Sequence, residues 1–172
     1  VDAHSREISQ FFDTSPKLPV RVLYKPVVKS PEEIYSIIQQ ANIAPNCIGI
    51  IAWMHTFSPA KMWIRGLNAL QKPMLHLHTQ YNRDIPWGEI DMDFMNENQS
   101  AHGDREFGHI VTRMGIERKV VVGHWSDTEV QDRIGSWMRT AVGVVESSHI
   151  RVMRIADNMR NVAVTEGDKV EA

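Results

Sequence analysis

A chain of 172 residues with 42% hydrophobic and 23% charged side chains has the composition of one globular domain with a real core, and speaks against a disordered or fibrous protein. Its net charge of −2, with no basic tract, argues against nucleic acid as a partner, and its apolar runs are far too short to span a bilayer. The single Cys47 excludes an internal disulfide; set in an apolar run, it reads as a buried, reduced thiol of a cytoplasmic protein. No signal peptide is visible, and the chain opens at Val1 on residues that already read as helix, so the expectation is a segment of something longer.

In chain order, His4, Ile8, Phe11 and Phe12 recur at helical spacing, and Asp13-Thr14-Ser15-Pro16 stops that helix. Leu18–Tyr24 alternates enough for a strand, with Pro19 near its start. Ser30-Pro31-Glu32-Glu33 is a helix start with a capping residue, a proline at the first helical position and the glutamate of a capping box. Ile34, Ile37, Ile38 and Ala41 form the stripe behind it. Cys47–Trp53 reads as a strand buried on both faces, as in a parallel sheet.

The rhythm then repeats. Ser58-Pro59 starts a helix whose Ala60, Trp63, Ile64, Leu67 and Leu70 share a face, and Pro73–His78 is a short strand. Residues 79–98 form a long connection, a helix spans Ala101–Met114, and Lys119–Gly123 is the next strand. Ser126-Asp127-Thr128-Glu129 is a second capping box, before a helix lined by Val130, Ile134, Trp137, Met138, Ala141 and Val145. Ile150–Ile155 is a last strand. Alternation of this kind predicts a doubly wound, flavodoxin-like α/β fold: about four or five parallel strands with helices on both faces. No strand precedes the opening helix, so the first strand is missing and one sheet position is expected to be empty or filled by another chain.

Ligands of such sheets bind off the carboxyl ends of the strands. That rule selects His55-Thr56-Phe57-Ser58, His78-Thr79-Gln80, His124-Trp125 and Asp157-Asn158-Met159. The most polar stretch is Asp91–Gly108, where Gln99 and His102, three apart, fall on one side of a helix's first turn. An amide beside an imidazole there suits a polyhydroxylated ligand; the alternative is a surface loop capped by Asn98 or Ser100. His76 and His78 alternate along a strand and face one side, but no Glu or Cys at ligand spacing supports them, which favours a structural role over a metal. His124 reads as a strand-end hydrogen-bonding residue, and His109 and His149 as solvated. Asp91, Asp93, Glu97 and Glu106 read as caps and ion-pair partners before acid–base groups. Phosphate loops, nucleophile elbows and Cys-x-x-Cys pairs are not seen.

Several longer runs nevertheless carry a resemblance. Trp53-Met54-His55-Thr56-Phe57-Ser58-Pro59-Ala60-Lys61-Met62-Trp63-Ile64, Ile90–Asn96, Asn98–Gly103 with Arg105–Gly108, Gly123-His124-Trp125, Arg133–Arg139 and Asp157–Thr165 together resemble the L-arabinose isomerases, in that family's order and spacing. The resemblance covers essentially all of residues 1–172. It implies an aldose–ketose isomerase of sugar catabolism acting on L-arabinose or a related aldose, with side activity on D-galactose. It further implies a divalent cation, usually manganese (Mn2+), that polarises the sugar carbonyl, and a homo-oligomer of trimers paired into hexamers.

By motif match, Gln99 and His102 contact the sugar site of a neighbouring subunit, while Phe57 and Met159 shape the apolar side of a pocket. The family's metal ligands, two Glu and two His, lie in its later regions, so the resemblance implies no metal ligand and no catalytic residue in this segment. Residues 1–149 are expected to form the N-terminal α/β domain and 150–172 the start of the central domain, without turnover from these residues alone. The alternatives are a free-standing flavodoxin-like sugar-binding or regulatory module without catalysis, and a sugar isomerase of the L-fucose type.

Overall fold

The computed structural model describes residues 1–54, 58–153 and 155. Three parallel strands, β1 (Ile50–Ala52), β2 (Met74–His78) and β3 (Lys119–Val122), lie side by side in that order. Ile51 is registered with Leu75, and Leu77 with Val121. Around them run α1 (Asp2–Thr14), α2 (Pro31–Ile43), α3 (Ile64–Ala69), α4 (Met92–Glu97), α5 (Ser100–Arg113) and α6 (Thr128–Ser147), with a 3-10 turn at Ala60–Trp63.

β2 is the central strand, and the period of two along it sorts its side chains between two cores. Leu75 and Leu77 join Ile8 and Phe12 of α1, Val121 of β3, and Val130, Ile134 and Met138 of α6 on one face. Met74 lies in the opposite core with Phe107 and Val111 of α5, Ala60 and Leu67. His76 shares that side, its ring 4.7 Å from that of Phe107. Burial of each large apolar side chain contributes about 1.5–3 kcal/mol, so both faces of the sheet must be covered. This is the α/β, flavodoxin-like arrangement of a parallel sheet between two helical layers.

Local signals set the helix ends. α2 starts as its sequence dictates: Pro31 takes the first position, the Glu33 N–H donates to Ser30 Oγ at 3.2 Å, and the Glu33 carboxylate accepts from the Lys29 N–H at 2.6 Å. The second capping box does not form. α6 begins after Asp127 with no side-chain cap bond, because Ser126 Oγ is engaged by His124 Nδ1 at 2.8 Å and the Ser126 carbonyl accepts from Gln131 Nε2 at 3.1 Å.

Other expectations are corrected. Three strands form among the described residues, where four or five were expected. Leu18–Tyr24 is not a strand: Val20 and Val22 pack sideways onto the first core, and the Val22 N–H donates to the Asp13 carboxylate at 2.8 Å. A strand needs a neighbour for its N–H and C=O groups, and no described strand lies beyond β1. In Cys47–Trp53 only Ile50–Ala52 is strand, with Ile50 and Ile51 half-buried, and Cys47 is likewise only half-buried.

The stretch after Pro59 enters as a 3-10 turn, whose three residues per turn shift the helical phase and leave Ile64 39% exposed. The connection 79–98 contains α4. In Ile150–Ile155 the described residues are not strand, and Val152, Met153 and Ile155 are exposed.

α6 offers a test of the packing. A Cβ at Gly135 would come within 2.5 Å of the Lys17 carbonyl oxygen, whereas one at Gly143 meets nothing within 4 Å. Gly143→Ala is expected to stabilise the protein by about 0.5–1 kcal/mol through helix propensity. Gly135→Ala is expected to destabilise it by about 1–3 kcal/mol, because a backbone oxygen cannot easily give way. Denaturant unfolding of the two variants checks this, and a gain at both would contradict the close approach.

Candidate functional site

The carboxyl end of β2 feeds a polar junction. The His78 carbonyl accepts from the Gly123 N–H at 3.0 Å, and Thr79 Oγ1 accepts from the Trp125 N–H at 3.0 Å, so the ends of β2 and β3 are stitched together. Gln80 Nε2 donates to the Asn82 carbonyl at 2.8 Å. Asn82 then pairs with Asn98: its N–H donates to Asn98 Oδ1 at 2.9 Å, and Asn98 Nδ2 donates to Asn82 Oδ1 at 2.8 Å. Asn98 Nδ2 also donates to the Phe94 carbonyl at 2.9 Å, which ties the strand exit to the turn between α4 and α5.

α4 is capped by Asp91, whose carboxylate accepts from the Phe94 N–H at 2.8 Å. α5 follows after Gln99, which makes no side-chain cap bond; neither Asn98 nor Ser100 serves as the cap. The Gln99 carbonyl accepts from the His102 N–H at 3.1 Å, and Gln99 Nε2 donates to Asn96 Oδ1 at 3.3 Å. Gln99 is half-buried and His102 exposed, so the two stand together at the amino end of α5 on the surface. Gly103, between them and Asp104, is buried. Phe57 and Met159 lie outside the described residues, as do the segments around them.

Of the acids, Asp91 caps α4 and Glu106 accepts from the Ala60 N–H at 3.1 Å, both structural duties, while Asp93 and Glu97 are exposed. His109 is exposed, and His149 bonds the Val145 carbonyl within its own helix end. His124 fulfils the strand-end hydrogen bond expected of it, through Ser126.

A residue that pattern reading passes over is Asp104. It stands on the stripe of Phe107 and Val111, three and seven residues on, and is buried at 3% exposure. Its Oδ1 lies 2.8 Å from Nε2 of the fully buried His76, and His78 Nε2 lies 3.0 Å from His76 Nδ1. The two imidazoles are tilted at 46° with centroids 3.9 Å apart. Among the described residues this trio is the group whose ligand atoms all lie within 4.8 Å of one another. The signal was present: an acid on an apolar helical stripe must meet a polar partner, and His-x-His on a strand presents one.

Burial, and then the neighbouring His76, lowers the His78 pKa from its ordinary 6.5. Burial lowers that of His124 in the same way. The unfolded chain thus takes up these protons more readily than the folded one, so folding stability is undiminished above about pH 6.5 and falls as pH drops through that value. In chelator-containing buffer the melting temperature is expected to fall from about pH 7.5 to about pH 5.5. A variant carrying His78→Gln and His124→Gln should lose part of that slope. A wild-type melting temperature flat across the window would contradict the burial account.

The sequence has counterparts in known proteins. Residues 1–149 match the family described as the L-arabinose isomerase N-terminal domain, and residues 151–172 the L-arabinose isomerase central domain. Over all 172 residues the chain is 63% identical to the L-arabinose isomerase of Herpetosiphon aurantiacus and 64% identical to that of Flavobacterium johnsoniae, covering 34% of each. It is 61% identical to that of Geobacillus thermodenitrificans, covering 35% of it. The chain spans about a third of the length of these relatives. With a domain match across residues 1–149 and this identity along its whole length, the chain belongs to the L-arabinose isomerase family.

Proposed function

We propose that this chain supplies the N-terminal domain, residues 1–149, and the opening of the central domain, residues 150–172, of a cytoplasmic aldose–ketose isomerase. Its reaction is the interconversion of L-arabinose and L-ribulose, with D-galactose as a further aldose. The observation that carries the reading is sequence identity of about 60% with L-arabinose isomerases along the entire chain. Among the described residues no helix is long and apolar enough to cross a membrane.

In this reading Gln99 and His102 reach the sugar site of a neighbouring subunit in a homo-oligomer of trimers or hexamers, and Phe57 and Met159 line its apolar side. The support is positional. Both polar side chains sit at the amino end of α5, where the helix favours electron-rich oxygens, and both amide and imidazole offer a donor and an acceptor to adjacent hydroxyls. The pinned Asn82–Asn98 pair holds that end against the strand exit.

The family implies manganese, but the His76–His78–Asp104 trio does not fit that cation. Two of its three members are buried and its donors are mostly nitrogen; manganese favours carboxylate and water. No step of the isomerisation is assigned to these three residues.

The test is to express the longer protein that contains this chain and assay L-arabinose isomerisation with manganese. His102→Ala is expected to lower kcat/KM by the equivalent of about 1–3 kcal/mol, the loss of a buried hydrogen bond to substrate, with the melting temperature little changed. Unaltered kinetics with a large fall in melting temperature would make His102 a structural residue. Absence of L-arabinose turnover in the wild-type protein would overturn the substrate assignment.

A further inference from the structure

We propose that His76 and His78, oriented by Asp104, form a binding site for a nitrogen-seeking divalent cation of the zinc class, separate from the sugar-activating cation of the proposed function. His76 and His78 project from the same face of β2, and their facing nitrogens, Nδ1 of His76 and Nε2 of His78, are 3.0 Å apart. Two imidazole nitrogens each bound at about 2.0–2.1 Å to one tetrahedral zinc ion lie about 3.3 Å from one another. The rings need open by only about 0.3 Å, turning their lone pairs to one side, to reach that spacing.

Asp104 sets which nitrogen of His76 carries the lone pair. Its Oδ1 accepts from His76 Nε2 at 2.8 Å, which leaves the lone pair of a neutral ring on Nδ1, facing His78. Its Oδ2 stands 4.0 Å from His78 Nδ1, beyond hydrogen-bond reach, so without an ion the His78 Nε2–H donates to His76 Nδ1, and an ion that binds there displaces that proton. At 3.0 Å the two nitrogens either share one proton or turn both lone pairs to an ion set to one side of the line between them. A buried carboxylate behind a ligating imidazole is also the arrangement that fixes histidine ligands in metal sites.

Access is one-sided. His76 and Asp104 are sealed at 0% and 3% exposure, whereas the His78 side chain is 28% exposed at the strand exit. The open side admits the ion and the water that completes its coordination. The bound ion joins the two histidines at the end of β2, and Asp104 carries the linkage on to α5. Its effect is to clamp the helix whose amino end presents Gln99 and His102.

The intact isomerase containing this chain, stripped by chelation, is titrated with zinc alone by calorimetry and with cobalt(II) by absorption, which reports nitrogen ligation. Wild type is expected to take up one more equivalent of zinc than His78→Ala, a substitution at the part-exposed ring. Asp104→Asn is expected to bind that equivalent about 10–100-fold more weakly. Equal zinc stoichiometry in wild type and His78→Ala overturns the site, leaving a proton-linked histidine pair. Unchanged affinity in a folded Asp104→Asn overturns the part given to Asp104. Should that variant fail to fold, the comparison of wild type with His78→Ala decides alone.

Discussion

The contact between Asp104 and His76 governs how the two halves of the second core fit together. A carboxylate buried on the helical stripe of Phe107 and Val111 is tolerated only with a hydrogen-bond partner, and His76 supplies it at 2.8 Å from the middle of β2. Removing one member of such a buried pair typically costs about 3–5 kcal/mol, while replacing both by apolar groups is often neutral. The pair is thus better understood as a device of position than of net stability. It sets the height and rotation of α5 against the sheet, and the edge-on contact of Phe107 with the His76 ring, at 70°, reinforces that setting.

Position is what the surface site requires. With α5 fixed, its amino end falls beside the exit of β2, where the Asn82–Asn98 pair closes the remaining gap. Gln99 and His102 then stand on the outside of the domain, held from within by the buried His76 and Asp104. On the other face of the sheet the strand exits are closed differently. His4 of α1 lies against Tyr81 with centroids 4.4 Å apart, and Phe11 meets Trp125 edge-on at 5.0 Å. One exit face is therefore aromatic and the other polar.

Much of this was legible in the sequence, for reasons that differ by element. The helices α2, α5 and α6 announce themselves because one stripe of each is apolar at helical spacing, and Ser30-Pro31 marks a start by stereochemistry alone. β2 and β3 are visible as short apolar runs between turns. Leu18–Tyr24 misled because alternation reports a pleated surface but not whether a partner strand exists to pair with it. α4 was hidden because none of its residues is buried, so it has no stripe to read.

The site divided in the same way. Gln99 and His102 share one helical turn and can be paired from spacing, whereas Asp104 and His76 are 28 residues apart and meet only through the crossover from β2 to α5. Asp104 also lies in a run of polar residues, where an acid passes for a solvated side chain.

The central claim is that the Asp104–His76 contact fixes the amino end of α5. Hydrogen exchange in the intact protein, comparing wild type with His76→Leu under chelating conditions, addresses it most directly. The account predicts that amides from about residue 100 to residue 107 lose protection in the variant while those of α6, packed on the opposite face, keep theirs. Unchanged protection in the first turns of α5, or an equal loss across α5 and α6, would contradict it.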